Sequence, residues 1–467
     1  MTTLMNPVAS KDLVPGTVVD AQNPWPGLVA FTEDIRDFFH GRAEETDDLL
    51  RRVKRKNLTV FFGQSGLGKS SLLQAGLFPR LRKEGYLPVP IRLDHALAAP
   101  ELSDHVESAV APGGQVERRR IAAAGLADQV KAAIASAMGD TGDRPEAPSP
   151  DDGVTLWEHF HDCRRAWLTH DRQPIRLVLV FDQFEELFAI GQTNEAGRER
   201  AAAFLTELAD LVENRVPALL EQRLEEQPEL MKQFVFGELD HRVLLCLRED
   251  YLANLESLHR TMRSLAENRM RLTRMNGSRA LEAVLNPGRG LITPEVGRLV
   301  VRFVAGKRLR APDAAHEGVE EDGLAGLEIE PSLLSLVCWE LNNRRSAQGL
   351  PEITGSLLAG NRESILQDFY ERCLADQPPG VRALVEDELV TDSGLRVDIT
   401  LDRARQALRQ RGASGSAIDE LVKRRLLRIE PRLDIQRVEL IHDVLTPVVK
   451  KSRDERQQQE ATRRAEQ

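Results

Sequence analysis

The sequence predicts an α/β fold built on a doubly wound parallel sheet, followed by a helical domain and a winged-helix domain. Three observations carry that expectation. The apolar runs LTVFF (58–62), IRLVLVFD (175–182) and VLLCL (243–247) have the composition of strands buried on both faces. Segments with apolar residues at helical spacing alternate with them, and polar residues stand at the carboxyl end of each run, where open α/β sheets place their sites. Beyond about residue 270 the strand signal fades into helix, and from about 380 helices lead into a short hairpin.

Taken in order, residues 1–22 hold Pro7, Pro15 and Gly16 without sustained periodicity and read as a tail. The α/β domain is expected over 23–270. It opens on the turn-forming NPWPGLVAF and a helical lead-in, after which LTVFF, the glycine-rich GQSGLGKSS and a helix follow one another directly. A second strand lies in YLPVPIRLD (86–94). Pro and Gly make 139–153 a loop, and WEHFHDCRRAWLTH (157–170) reads as a helix. The helical domain is expected over 271–375, from segments near 278–286, 294–306, 331–347 and 361–374. The winged helix is expected over 376–449, with LLRIE and VELIHD pairing around a turn at 431–434. Residues 450–467 are helix-prone but polar on every face, so they read as a tail or linker that is solvated or needs a partner.

Composition narrows the function. A chain of 467 residues accommodates roughly two to four domains. With 41% hydrophobic and 29% charged residues it reads as soluble and globular, and nothing approaches the roughly 18 uncharged apolar residues of a membrane span. No leader opens the sequence, so a cytoplasmic location is expected. Cys163, Cys246, Cys338 and Cys373 are far apart and form no ligand pattern, and they read as buried small residues. A net charge of −10 makes nucleic acid an unexpected main partner, and RRVKRK (51–56) reads as a solvated helix face.

Gly63, Gly66, Gly68, Lys69 and Ser70 fit GxxxxGK[ST] between a strand and a helix, the context a phosphate-binding loop requires. Glycines there let successive backbone N–H groups converge on phosphate oxygens. The expected cradle is the whole loop, Gly63, Gln64, Ser65, Gly66, Leu67, Gly68, Lys69, Ser70 and Ser71, with Lys69 reaching the β and γ phosphates of ATP and Ser70 ligating Mg²⁺. Asp182 closes the run LVLVF and suits a metal-bound water. In DQFEEL, Glu185 or Glu186 can hold an attacking water, with Glu186 preferred; the same acids would also serve simply as caps of a helix start. Arg248, just past VLLCL, is either a sensor of the γ-phosphate or a surface arginine. Spacing alone makes Gly41 and Arg42 a plain turn with a solvated arginine rather than a lid over adenine, and makes His442 a satisfied structural histidine.

Together these residues resemble the STAND class of ATPases, most closely the bacterial novel STAND NTPase 1 group. NPWPGLVAF…FFHGR, FFGQSGLGKSSLLQAGLFPRL and VLVFDQFEELF are similar to its N-terminal signatures, LLCLREDYL to its sensor segment, EPSLLSLVCWELNNRR to its helical-domain segment and LIHDVLTPVV to its histidine-aspartate motif. The resemblance implies that His40, Gly41 and Arg42 lie over adenine, that Pro331 faces the nucleotide, and that His442 approaches the β-phosphate of ADP, as a charged partner. It further implies a switch between a closed ADP state and an open ATP state, homo-oligomerisation in the latter, and a setting such as bacterial defence. The family's usual effector or sensor repeats are not found in these residues, so the expectation is either a longer natural chain or a separate effector or sensor protein as partner. Two rival readings share the fold: a DNA-associated winged-helix ATPase, and a nucleotide-bound scaffold that does not hydrolyse.

Overall fold

The computed structural model describes residues 18–93, 125–140, 154–163, 175–188, 195–237, 241–306, 322–358, 362–432 and 435–466. Strands β1 (Leu58–Gly63), β2 (Tyr86–Ile91), β3 (Arg176–Phe181), β4 (Arg242–Arg248) and β5 (Arg269–Arg271) form one parallel sheet in the order β2-β3-β4-β1-β5. Alternate residues of a strand face opposite sides, and both sides are covered. Val60, Leu179 and Leu245 share one core with the helices Leu126–Asp140, Leu156–His161 and Glu195–Val212. Phe61, Val178, Val180, Leu244 and Cys246 share the other with the helix Ala43–Arg55 and the helix that leaves the glycine-rich loop. The strand carrying Asp182 therefore does not touch the strand carrying the loop; β4 lies between them.

The helix expected over 157–170 is shorter at its described end. Thr155 caps it with a capping box, it spans Leu156–His161, and Asp162 turns extended to bridge Phe234. Residues 164–174, and 141–153 of the expected loop, lie outside the described residues. Of the cysteines, Cys246, Cys338 and Cys373 are buried as expected, whereas Cys163 is exposed because the helix has ended before it.

A second core runs without a break from Met275 to Val449 and takes in Trp25 from the N-terminal segment. Its entrance is a ribbon of β6 (Met275–Asn276) and β7 (Glu328–Ile329), followed by the helix Pro331–Ala347. Phe369, Tyr370 and Cys373 belong to the same cluster as Val381, Leu384 and Val385, so no gap in packing marks the expected boundary at 375/376. Beyond it the helices Pro379–Glu388, Leu401–Gln410 and Ala417–Lys423 surround an antiparallel sheet of β8 (Ile399–Thr400), β9 (Leu427–Arg432) and β10 (Ile435–Leu440), ordered β8-β10-β9. These helices and this hairpin occupy the stretch where the winged helix is expected.

Of the two alternatives for the C-terminal tail, solvated or partnered, its first half takes the second, with the partner in the same chain. Helix Thr446–Glu466 is polar, yet its first half is docked rather than solvated, because Ser452 and Arg453 are buried against the helix Pro379–Glu388. The completely buried Glu386 accepts hydrogen bonds from Ser452 Oγ (2.6 Å), Arg456 Nε (2.6 Å) and Tyr370 OH (3.1 Å). A polar helix can dock when each buried polar group finds such a partner. Among the described residues no helix is long and apolar enough to cross a membrane.

Candidate nucleotide site

β1 ends at Gly63 and its successor loop turns back through two left-handed glycines, Gly66 and Gly68, both at φ +84°, before the helix begins at Lys69. That geometry turns the loop's N–H groups toward the helix end. A cavity of about 260 Å³ opens there. Ser65, Gly66, Leu67, Gly68, Lys69, Ser70 and Ser71 line it, whereas Gly63 and Gln64 stand behind, their carbonyl oxygens accepting from Lys69 Nζ at 2.8 and 3.0 Å.

Asp182 is brought to the loop across the intervening strand. Its N–H bonds Ile91 O at 3.1 Å and that of Phe184 bonds Cys246 O at 2.8 Å, so the turn after β3 is pinned to β2 and β4. Ser70 Oγ then donates to Asp182 Oδ2 at 2.8 Å, and Arg92 Nη2 lies 3.9 Å from the same oxygen. Gln183, left-handed at φ 61°, puts its side chain into the cavity wall with Oε1 buried and unpartnered. A hydroxyl and a carboxylate in contact beside a phosphate-type loop fit a hard, oxygen-loving cation such as Mg²⁺, which takes few protein ligands and completes its shell with phosphate and water.

The paired acids separate. Glu185 lines the cavity and accepts from the Arg248 N–H at 3.2 Å; Glu186 is not among the lining residues. Burial pushes the Glu185 carboxyl up, against the pull of backbone N–H groups and the Lys69 charge. Arg248 also lines the cavity, half-buried, its Nη2 2.9 Å from Asp250 Oδ2 and its Nη1 3.8 Å from Asp443 Oδ2.

The lead-in segment contributes differently from the sequence reading. Arg42 is not solvated: it is 3% exposed, pairs with Glu45 Oε1 at 2.7 Å, and donates to Leu67 O at 3.3 Å and Thr273 O at 3.0 Å. Its guanidinium props the loop from behind while also reaching the cavity wall, as His40 does; Gly41 is not among the lining residues. The apolar part of the cavity wall comes from Trp25, Leu28, Phe31, Phe39, Met275 and Leu334.

The second core closes the site. Pro331, the first residue of its helix, lines the cavity, and Ser332 N bonds Gly66 O at 3.3 Å. A Cβ on Gly66 would fall 2.8 Å from Glu330 Oε1, 3.0 Å from Ser332 Oγ and 3.0 Å from His442 Cε1. The loop, the helical region and the winged helix thus converge on one glycine. His442 Nδ1 accepts from Val444 N at 3.0 Å, so the proton of a neutral ring sits on Nε2. Burial depresses the His442 pKa, and Arg396, Arg428 and Lys69 add to it against the opposing pull of Asp443. That direction favours the neutral ring, with its N–H on Nε2, over the charged partner that the resemblance implies. Asp443 is held below the usual carboxylate range: burial works against it, but Arg396, the Ser65 hydroxyl and Arg248 outweigh that.

Sequence reasoning missed Arg92, Gln183, Arg396 and Arg428, all of which line the cavity. Gln183 stands directly after Asp182 in DQFEEL but carries no charge to single it out, and the three arginines lie outside the glycine-rich and DQFEEL motifs. Arg396 pairs with Asp443 (3.1 Å) and Glu439 (3.3 Å), and Glu439 in turn holds Arg428, so the winged helix presents guanidinium groups already fixed in direction. In the run RRVKRK, Arg51, Lys54, Arg55 and Lys56 are exposed, as a solvated helix face should be, and Arg52 pairs with Asp48, Lys54 with Glu84 and Lys56 with Glu267.

A parallel sheet with a glycine-rich loop at the carboxyl end of β1 and an acid-tipped β3 reaching its serine defines a P-loop NTPase. More narrowly, the chain belongs to the family Novel STAND NTPase 1, whose profile matches residues 24–467. No curated protein matches it. Among solved structures it is similar to the ORC2 protein of Aeropyrum pernix in its ADPNP–ADP complexes (13% identity, 89% of this chain and 94% of that chain covered, TM-score 0.40). It is also similar to the A. pernix ORC1 protein in complex with DNA (14%, 88% and 93%, TM-score 0.39) and to the Walker-type ATPase PABY2304 of Pyrococcus abyssi (14%, 90% and 97%, TM-score 0.37).

Proposed function

We propose that the chain is an ATP/ADP-dependent switch that hydrolyses ATP slowly and uses nucleotide to set whether its winged helix is docked on the phosphate-loop domain. One observation carries the reading: His442 and Arg396 of the winged helix, the latter paired with Asp443, line the same cavity as Lys69, Ser70 and Glu185. A nucleotide in that cavity touches both modules at once. It can then shift their arrangement by the difference between its affinities for the docked and undocked states.

Mg²⁺·ATP would supply an electrophilic phosphorus and a charge-neutralising cation. The chain's own residues do the rest. Lys69 turns from loop carbonyls to phosphate oxygens, and Ser70 with Asp182 holds the cation. Glu185, rather than Glu186, holds the attacking water, its raised pKa suiting a group that must take up a proton. Arg248 senses the terminal phosphate; drawn toward it, the guanidinium gives up Asp443 and loosens the dock. ADP leaves Arg248 on Asp443 and keeps His442 Nε2–H facing the phosphates, which favours closure. Undocking frees surfaces for homo-oligomerisation or for a separate effector or sensor.

The test is to purify the full chain, identify the nucleotide that co-purifies, and record particle mass with ADP and with a non-hydrolysable ATP analogue. Monomers with ADP and a larger assembly with the analogue support the switch. One particle size under both conditions refutes it.

A further inference from the structure

The geometry points to Arg425 as a positioning residue for the base end of the cavity, where it holds from the winged-helix side the strap that walls that end. The strap is the segment 22–31. At its start Asn342 Nδ2 donates to Gln22 O at 2.8 Å and to Asn23 Oδ1 at 3.1 Å; at its finish Phe31 N donates to Ser71 Oγ at 3.1 Å, on the phosphate-loop helix. Trp25, Leu28 and Phe31 face the cavity between these ties. The turn in the middle, Pro26–Gly27, is held by Arg425, whose Nη1 donates to Pro26 O while its guanidinium carbon lies 5.5 Å from the centre of the Trp339 ring.

Arg425 occupies an expensive position. It follows the helix Ala417–Lys423 at φ 58°, its N–H bonded to Val422 O at 2.9 Å and that of Leu426 to Leu421 O at 3.0 Å. Those paired bonds make a Schellman turn, and its left-handed residue is usually glycine. The side chain is buried, burial pushes its pKa down to about 10, and no carboxylate opposes it among the described residues. A buried cation kept where glycine fits better indicates that the side chain has work to do, and its contacts are Pro26 and Trp339. The inference rests on the switch reading and deepens it. If Arg425 raises affinity for the base by some factor, a bound base holds the winged helix docked by the same factor. Phosphates and base then report to the winged helix through separate contacts.

Arg425→Gly removes the side chain and leaves the turn to the residue it favours. Binding of ADP and of pyrophosphate, each with Mg²⁺, is measured on the full chain by calorimetry. ADP should bind about tenfold more weakly and pyrophosphate within about twofold of wild type, as expected for loss of one charge-assisted hydrogen bond that only the base end feels. Arg425→Lys, which keeps a donor but not the stacked plane, should recover part of the loss. Equal weakening of both ligands, or unchanged ADP affinity, overturns the inference. If Arg425→Gly does not fold, Gly27→Ala takes its place: at φ +71°, with its Cβ 3.4 Å from Trp339 Cγ, it disturbs the same turn from the strap side, and it is held to the same two criteria. Failure of wild type to bind ADP would remove the switch reading itself. Equal ADP binding by wild type and variant removes only the role of Arg425.

Discussion

Arg248 Nη1, at the end of the central strand β4, lies 3.8 Å from Asp443 Oδ2 of the winged helix. Arg396 holds the other oxygen of that carboxylate at 3.1 Å, so one acid ties the sheet edge to the C-terminal module. Removing a charged acceptor shared in this way costs about 2 kcal/mol. Asp443→Asn should therefore release bound ADP at least about tenfold faster in a stopped-flow displacement. An unaltered release rate would mean that the pair does not latch the module.

The acids after Asp182 differ in their access to the cavity. Glu185→Gln should cut ATP turnover by about 100-fold while leaving nucleotide affinity nearly intact, the usual penalty for losing a general base. Glu186→Gln should stay within about threefold of wild type, since that residue does not line the site. The reverse ranking would assign the water to Glu186.

Acidity should weaken the nucleotide-free chain through His442. Its pKa in the folded chain lies below the ordinary 6.5, so below that value the unfolded chain binds a proton the folded one refuses. The stability it contributes is complete above pH 6.5 and falls as pH drops toward the folded value, by up to about 1.4 kcal/mol per unit. His241, pushed down to about 3 by burial, acts with the same sign. The readout is thus the difference in thermal unfolding between wild type and His442→Gln from pH 7 to 5: the wild type should lose stability more steeply, and parallel curves would show that His442 is not held neutral.

Gly66 combines a left-handed backbone with three close neighbours from other parts of the chain. Gly66→Ala strains the turn and pushes Glu330, Ser332 and His442 away. Loss of at least about 1 kcal/mol of stability, together with impaired ADP binding, is expected by thermal shift with and without nucleotide.

Glu386 tests the docking of the last helix. Glu386→Ala strips the acceptor from Tyr370, Ser452 and Arg456 and should destabilise the chain by about 3 kcal/mol in denaturant titration. A shift under about 0.5 kcal/mol, the range of ordinary surface changes, would show the helix to be a loosely held tail.

Much of the candidate site is legible in the amino-acid sequence. Gly63–Ser70 announces a phosphate loop because its chemistry is local: glycine conformations, a helix start and a lysine within one turn. Asp182 was legible because an apolar run ending in an acid needs no distant information. The family resemblance placed Pro331 and His442 in a site that their spacing alone did not suggest. The choice between Glu185 and Glu186 was not legible, because it depends on how the turn after β3 is pinned by Ile91 and Cys246.

What the amino-acid sequence determined by itself is the class of chemistry, set by residues within a few positions of one another. Tertiary structure alone decided that β4 separates the two motif strands, that Arg42 is buried behind Leu67, and that burial depresses the His442 pKa. It also joined the strap at Pro26 to Arg425 and a polar final helix to Glu386. The physical reason is range: backbone conformation follows from neighbouring residues, whereas burial, pKa and ion pairing follow from partners brought close by folding, and Pro26 and Arg425 stand 399 residues apart.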